Sequence, residues 1–275
     1  MNERIAIDGQ AFGLALDEQG DRLYMVDTRG AALSALDIES GEVAATLELA
    51  GDRAASNDAR PPQPRLAVFD PESGRVYVSG VADEGVIWVV NGADMTLETT
   101  FENVGSRPAG LALDRERGRL YVTLLGSDQI AVIDTQGGEV VETFDLAVEG
   151  ATNLALDSEG DRLYVTHQKT ADVTVLDTAN GEVVDTLESG EGALDLLLAG
   201  SNLWVTNRDA HTVLRFDRES HDLLDTIATD LMPNSLLAIP GEAGVYTSLK
   251  QALDDDLKAP GPDAVVHLIP EGLER

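Results

Sequence analysis

Cysteine is absent from all 275 residues, which excludes disulfides, thiolate metal sites and a cysteine nucleophile. Aromatic residues make up only 4% of a chain that is 43% hydrophobic. The interior must therefore be filled by Val, Leu, Ala and Ile, as in a strand-rich core. Lysine is nearly missing, with Lys169, Lys250 and Lys258 as the only examples. No apolar run approaches the roughly 18 residues of a membrane span, so no membrane insertion is expected. The opening Met-Asn-Glu-Arg-Ile-Ala-Ile-Asp has neither the basic nor the apolar region of a secretory signal. Taken literally it begins a cytoplasmic chain, although a chain whose leader had been removed would open in the same way.

Carboxylates are present in excess. Fifty Asp and Glu against 19 Lys and Arg give a formal charge of −31. They are dispersed among apolar strand patterns, which describes a hydrated folded surface rather than a disordered acidic tract. The simplest account is adaptation to high salt, where self-repulsion is screened. A field of that sign repels phosphate backbones and anionic membranes, so it opposes a nucleic-acid partner.

Internal repetition is the strongest signal. Residues 14–24, 111–121 and 154–164 are nearly one sequence, Leu-Ala-Leu-Asp followed by a polar turn and Arg-Leu-Tyr. Looser copies run from Leu66 to Tyr77, Leu196 to Trp204 and Ser235 to Tyr246. The aromatic anchors Tyr24, Tyr77, Tyr121, Tyr164, Trp204 and Tyr246 are spaced by 53, 44, 43, 40 and 42 residues, a period that belongs to propeller blades. Each copy holds four short apolar or alternating runs separated by Gly-containing turns. In the fourth copy these are 153–156, 162–166, 172–177 and 182–187, one antiparallel meander. The expectation is a single all-β domain over 1–275, a β-propeller of six four-stranded antiparallel blades. The sixth copy lacks an outer strand, and Arg4–Asp8 stands in the right phase to complete it and close the ring. The repeated residues serve the fold: Asp17, Asp114 and Asp157 open a turn, Gly20, Gly118 and Gly160 supply positive φ, and the Tyr packs between blades.

The phrases Leu-Tyr-Val-Thr (163–166), Trp-Val-Thr-Asn (204–207) and Tyr-Val-Thr (121–123) resemble the repeat of the YVTN β-propellers. Gln-Pro-Arg (63–65), Val-Tyr-Val-Ser-Gly (76–80), Val-Ile-Trp-Val-Val-Asn-Gly (86–92) and Pro-Asn-Ser-Leu (233–236) are similar to segments of the YncE-like periplasmic members. The resemblance implies a propeller, usually seven-bladed and exported, without an established catalytic site, some members being associated with single-stranded DNA. It thus implies a periplasmic or extracytoplasmic location. The six visible repeats and the missing leader depart from that pattern: either the ring closes on six, or a blade lies upstream.

Function in a propeller is carried where unlike residues at equivalent positions converge. Just before each inner strand stand Gly13, Arg65, Gly110, Asn153, Asp195 and Asn234. Asn153, Asp195 and Asn234 have the oxygen chemistry of a hard-cation site, a weak Ca²⁺ site with one carboxylate; the simpler account makes them turn-forming residues. After the aromatic strand come Asp27, His167, Gln168, Asn207 and Arg208. His167 has acid, base or ligand chemistry, while the simpler account makes it a solvated loop side chain. Arg65 follows a Pro-rich insertion with Arg53 and Arg60, able to present guanidinium groups to an anion or to make a structural salt bridge. No metalloprotease, nucleophile-elbow or phosphate-loop motif is present. The sequence therefore favours a monomeric, non-catalytic binding or scaffold propeller for a protein, peptide or small ligand, with no catalytic residue and no cofactor beyond possible Ca²⁺. The alternatives are a metal-dependent, lactonase-like six-bladed hydrolase and a single-stranded DNA binder.

Overall fold

The computed structural model describes residues 11–49, 61–239, 243–251 and 264–269. All of its regular structure is β. The chain divides into two compact units, Met1–Phe144 and Asp145–Arg275, and each carries three of the six blades of a β-propeller. In the first unit, blade 1 comprises β1 (Ala11–Asp17), β2 (Arg22–Asp27), β3 (Ala32–Asp37) and β4 (Val43–Glu48). Blade 2 comprises β5 (Gln63–Asp70), β6 (Arg75–Val81), β7 (Gly85–Asn91) and β8 (Thr96–Gly105). Blade 3 comprises β9 (Pro108–Asp114), β10 (Arg119–Leu124), β11 (Gln129–Asp134) and β12 (Val140–Asp145).

In the second unit, blade 4 comprises β13 (Ala151–Asp157), β14 (Arg162–His167), β15 (Asp172–Asp177) and β16 (Val183–Glu188). Blade 5 comprises β17 (Ala193–Ala199), β18 (Asn202–Asn207), β19 (Thr212–Asp217) and β20 (Leu223–Ala228). Blade 6 holds β21 (Met232–Leu237), β22 (Val245–Lys250) and β23 (Ala264–Leu268), a three-stranded sheet among the described residues where the others have four. Arg4–Asp8, expected to supply its fourth strand, lies outside the described residues. No helix among the described residues is long and apolar enough to cross a membrane.

Within a blade the two middle strands are almost wholly buried, while the outer strands β4 and β16 expose alternate or successive side chains, as the edge of a sheet in water must. The repeated aromatics Tyr24, Tyr77, Tyr121, Tyr164 and Trp204 are all buried, each stabilising the fold by roughly 1.5–3 kcal/mol through the apolar area removed from water. Tyr246 is half-buried and stacks on His267 at 4.1 Å between ring centroids.

The turn after each inner strand confirms the role of Asp and corrects that of Gly. Asp17 Oδ1 accepts the amides of Gln19 and Gly20, and Asp157 Oδ1 accepts that of Gly160. Gly118 has φ +60°, as expected, but in the first and fourth copies the left-handed residues are Asp21 (φ +50°) and Asp161 (φ +51°). Gly20 and Gly160 are the third residue of the turn, where a Cβ would press on Oδ2 of Asp17 or Asp157; Ser73 and Arg117 occupy the same place after Asp70 and Asp114, so glycine is not obligatory there. The left-handed site is always the fourth residue after the Asp, and an Asp can occupy it.

Each of the six inner strands also carries a bulge against its neighbour. In four blades a hydroxyl two residues after the aromatic stitches that bulge. The amides of Leu66, Gly110, Asn153 and Asp195 donate to Ser79 Oγ, Thr123 Oγ1, Thr166 Oγ1 and Thr206 Oγ1 at 3.1, 2.7, 3.2 and 3.0 Å. The Thr of the repeated Tyr-Val-Thr satisfies an amide that the bulge removes from the ladder.

Candidate functional site

The bulges occur where the sequence places its ligand candidates, with a one-residue correction in blades 2 and 6. The place held by Gly13, Gly110, Asn153 and Asp195 belongs in those blades to Leu66 and Ser235, and Arg65 and Asn234 each stand one residue earlier in the bulge. β1 approaches β5 so closely that a Cβ at Gly13 would lie 2.5 Å from the Arg65 carbonyl oxygen. Arg65 is half-buried, and its guanidinium lies over the Phe12 ring, 4.7 Å from the centroid. Burial, and then the charge of Arg107, hold its pKa below the usual arginine range. None of the ion pairs among the described residues includes Arg65, so the expected structural salt bridge is not found there.

In the second unit the bulge residues bond to one another. Asn153 Nδ2 donates to Asp195 Oδ1 at 2.6 Å, the Leu236 amide donates to Asp195 Oδ2 at 2.8 Å, and Asn153 Oδ1 accepts the Leu154 amide. Asp195 thus joins the inner strands of blades 4, 5 and 6. It keeps limited solvent access, yet desolvation outweighs these hydrogen bonds and pushes its carboxyl up to about 6. Asn234 lies half-buried at the bulge of β21. For a cation the fit is poor: both Asp195 oxygens already accept N–H donors, whereas Ca²⁺ needs six or more converging oxygens. Among the described residues no three His, Cys, Asp or Glu side chains group as metal ligands.

The second set of candidates sits at strand ends. His167 is the last residue of β14 and fully buried, its Nε2 2.8 Å from Thr174 Oγ1, so it is not a solvated loop side chain. Asn207, its equivalent in blade 5, is also buried; it accepts from Ser189 Oγ at 2.6 Å and donates to Thr212 Oγ1 at 3.2 Å. Asp27 accepts the amides of Arg29 and Gly30. Gln168 and Arg208 are turn residues whose amides donate to the carbonyls of Gly150 and Gly192.

A polar cleft of about 600 Å³ between blades 4 and 5 was not anticipated. Arg218 makes a two-point ion pair with Asp157, one bond of 2.6 Å running from Nε to Oδ2, and also reaches Glu159. His221 Nδ1 lies 2.6 Å from Asp185 Oδ2, and its Nε2 lies 3.2 Å from the hydroxyl of Tyr164, which donates to the Arg218 carbonyl. Formally this is an Asp–His–Tyr relay. Tyr164 is nevertheless fully buried, and desolvation pushes its pKa up to about 12, so the phenol stays neutral and unreachable; the set ties two blades and supplies no nucleophile. One signal for it exists in the sequence: His221 (φ +63°) occupies the turn position held elsewhere by Gly41, Gly138 and Gly181 (φ +70°, +75° and +69°).

Residues 9–169 match the family model described as the SMP-30/Gluconolactonase/LRE-like region. The chain is 32% identical over 273 residues to YncE of Salmonella typhi, covering 98% of this chain and 77% of that protein. It is 36% identical over 150 residues to YncE of Escherichia coli (strain K12), covering 54% and 42%. Among solved structures, a chain of the mitotic checkpoint complex aligns over 87% of this chain and 70% of its own at TM-score 0.72 and 12% identity. A chain of the nidogen/laminin complex aligns over 79% and 80% at TM-score 0.63 and 20% identity. These two likenesses concern the fold alone.

Proposed function

We propose, from the premise that the chain belongs to the YncE family of β-propellers, within reach of the SMP-30/Gluconolactonase/LRE-like model, that it is a non-catalytic binding module. Its ligand is taken at the inner-strand bulges. One observation carries this reading: the bulge is rebuilt in every blade, yet its side chain changes from blade to blade. An unvarying backbone bearing unlike side chains is how repeat folds build binding sites. The test is a thermal-shift screen of small acids, sugars, amines and peptides at constant high ionic strength. A ligand at a hundred times its Kd stabilises by about 2.7 kcal/mol, and Arg65→Gln or Asp195→Asn should abolish the shift of the ligand each residue contacts. Turnover of a substrate by the purified chain would contradict the reading.

A second reading, a metal-assisted lactonase, is favoured by the Asn153–Asp195 contact and by the family model's description. It requires the Asn153 amide to turn its oxygen toward a cation and Asp195 to release its N–H donors. Ca²⁺-specific stabilisation, reversed by EDTA and lost in Asp195→Ala, together with lactone hydrolysis, would establish it. No response to Ca²⁺, Mg²⁺ or Mn²⁺ would remove it. An extracytoplasmic location accompanies either reading through the family and is tested by cell fractionation.

A further inference from the structure

Five half-buried arginines have carboxylate partners: Arg75 pairs with Glu98, Arg119 with Asp134, Arg162 with Asp177, Arg215 with Asp225 and Arg218 with Asp157. Arg22 is satisfied instead by the carbonyls of Gly92 and Ala93. Arg65, like Arg208, has no ion pair or side-chain hydrogen bond among the described residues, and of these two it is Arg65 that lies against an exposed aromatic ring. Its guanidinium carbon lies 4.7 Å from the centroid of the Phe12 ring, and its five N–H donors have no acceptor among the described residues.

Arg107 adds a second positive charge. It is exposed, within electrostatic reach of Arg65, and also without a carboxylate partner among the described residues. Its backbone is held in the left-handed region, φ +57°, by its amide on the Ala82 carbonyl (2.7 Å) and by the Leu125 amide on its own carbonyl (3.1 Å).

The surface beside Arg65 is apolar. Phe12 is 50% and Leu14 56% exposed, on either side of Gly13 at the bulge of β1. We infer that Arg65 anchors a binding site for an organic carboxylate with an apolar body, the carboxylate on its guanidinium, the body over Phe12 and Leu14, and the charge of Arg107 adding to the positive field. This rests on the binding-module reading and gives it a ligand class. A planar carboxylate matches the guanidinium fork in two-point geometry, and the exposed ring and leucine match an aliphatic or aromatic body.

The test is calorimetric titration of the full chain with octanoate, acetate and inorganic phosphate at fixed ionic strength and fixed chloride. Octanoate should bind at least about tenfold more tightly than either small anion, and Arg65→Gln should weaken it at least about tenfold, the loss of a two-point charged contact. Arg107→Ala, on an exposed turn, should weaken it by severalfold and guards against a folding defect in the first variant. Phe12→Ser should reduce octanoate to the affinity of acetate while leaving acetate itself unchanged. The inference falls if octanoate does not bind in the millimolar range, if its binding is the same in Arg65→Gln, or if phosphate binds as tightly as octanoate. Should carboxylates fail while another ligand's thermal shift is lost in Asp195→Asn, the binding-module reading stands and only this ligand class is wrong; if no bulge substitution affects any ligand, both fall.

Discussion

The bulge residues of the first three blades and those of the last three occupy the same backbone device and do opposite things with it. In the first unit the place of Asn153 and Asp195 is held by Gly13, Leu66 and Gly110, none of which can bond another through its side chain, and one residue earlier a single long cation, Arg65, rests on a ring. In the second, Asn153 and Asp195 consume each other's hydrogen-bonding capacity, and the buried carboxyl is driven toward its neutral form. A repeat supplies equivalent places, but their chemistry depends on whether the side chains put there can reach one another.

The repeated turn Asp sharpens that contrast and carries the largest expected effect. Asp157 is paired across blades by Arg218, whereas the equivalent Asp114 is paired within its own turn by the half-exposed Arg117. Arg218→Ala should cost about 3 kcal/mol, because it strips a two-point partner from a buried carboxylate; Arg117→Ala should cost about 1 kcal/mol or less, because the guanidinium it removes from the equally buried Asp114 is half-exposed and water can take its place. Equal losses in urea unfolding would mean that the inter-blade pair contributes nothing special. Next come the bulge stitches. Thr123→Val in the first unit and Thr206→Val in the second should each cost about 1–3 kcal/mol by leaving a bulge amide unsatisfied, and a large difference between them would show that the scaffold is not shared.

The pH dependence of Asp195 has a definite sign. The folded carboxyl holds its proton to about pH 6, whereas the unfolded one releases it near 3.8. Between those values the native state binds more protons, so the contribution is fully present below about pH 4 and is lost as pH rises through 6. Limited exposure reduces the effect to about 1–3 kcal/mol. Asp195→Asn should flatten unfolding free energy between pH 4 and 7.5 relative to wild type, and an unchanged slope would refute the desolvated carboxyl. Smallest of all, Arg65→Gln should change stability by less than about 1 kcal/mol, since only a contact with an exposed ring is lost. A loss as large as that of Arg218→Ala would reveal a structural pairing and undo the contrast between the units.

The blades were legible in the sequence because a four-strand meander imposes a period on apolar residues, and the period survives in the spacing of Tyr24 through Tyr246. The turn Asp residues were equally legible, since an Asx turn is local. Gly20 and Gly160 were assigned the left-handed place because glycine is its usual occupant, whereas the turn puts it one residue later, at Asp21 and Asp161. His167 was misplaced because the end of a strand and the start of a loop differ by one residue, and here that residue is buried.

By itself the sequence determined that this protein is built of repeated antiparallel blades, that its surface is strongly acidic, and which positions differ among the copies. These are consequences of composition and of short-range periodicity. Only the tertiary structure decided that Asn153 meets Asp195, that Arg218 and His221 tie blade 5 to blade 4, and that Arg65 lies over Phe12 with no carboxylate at hand among the described residues. Each of those contacts joins residues from different blades, about 40 or more apart in most cases, and depends on how neighbouring sheets pack rather than on any local pattern.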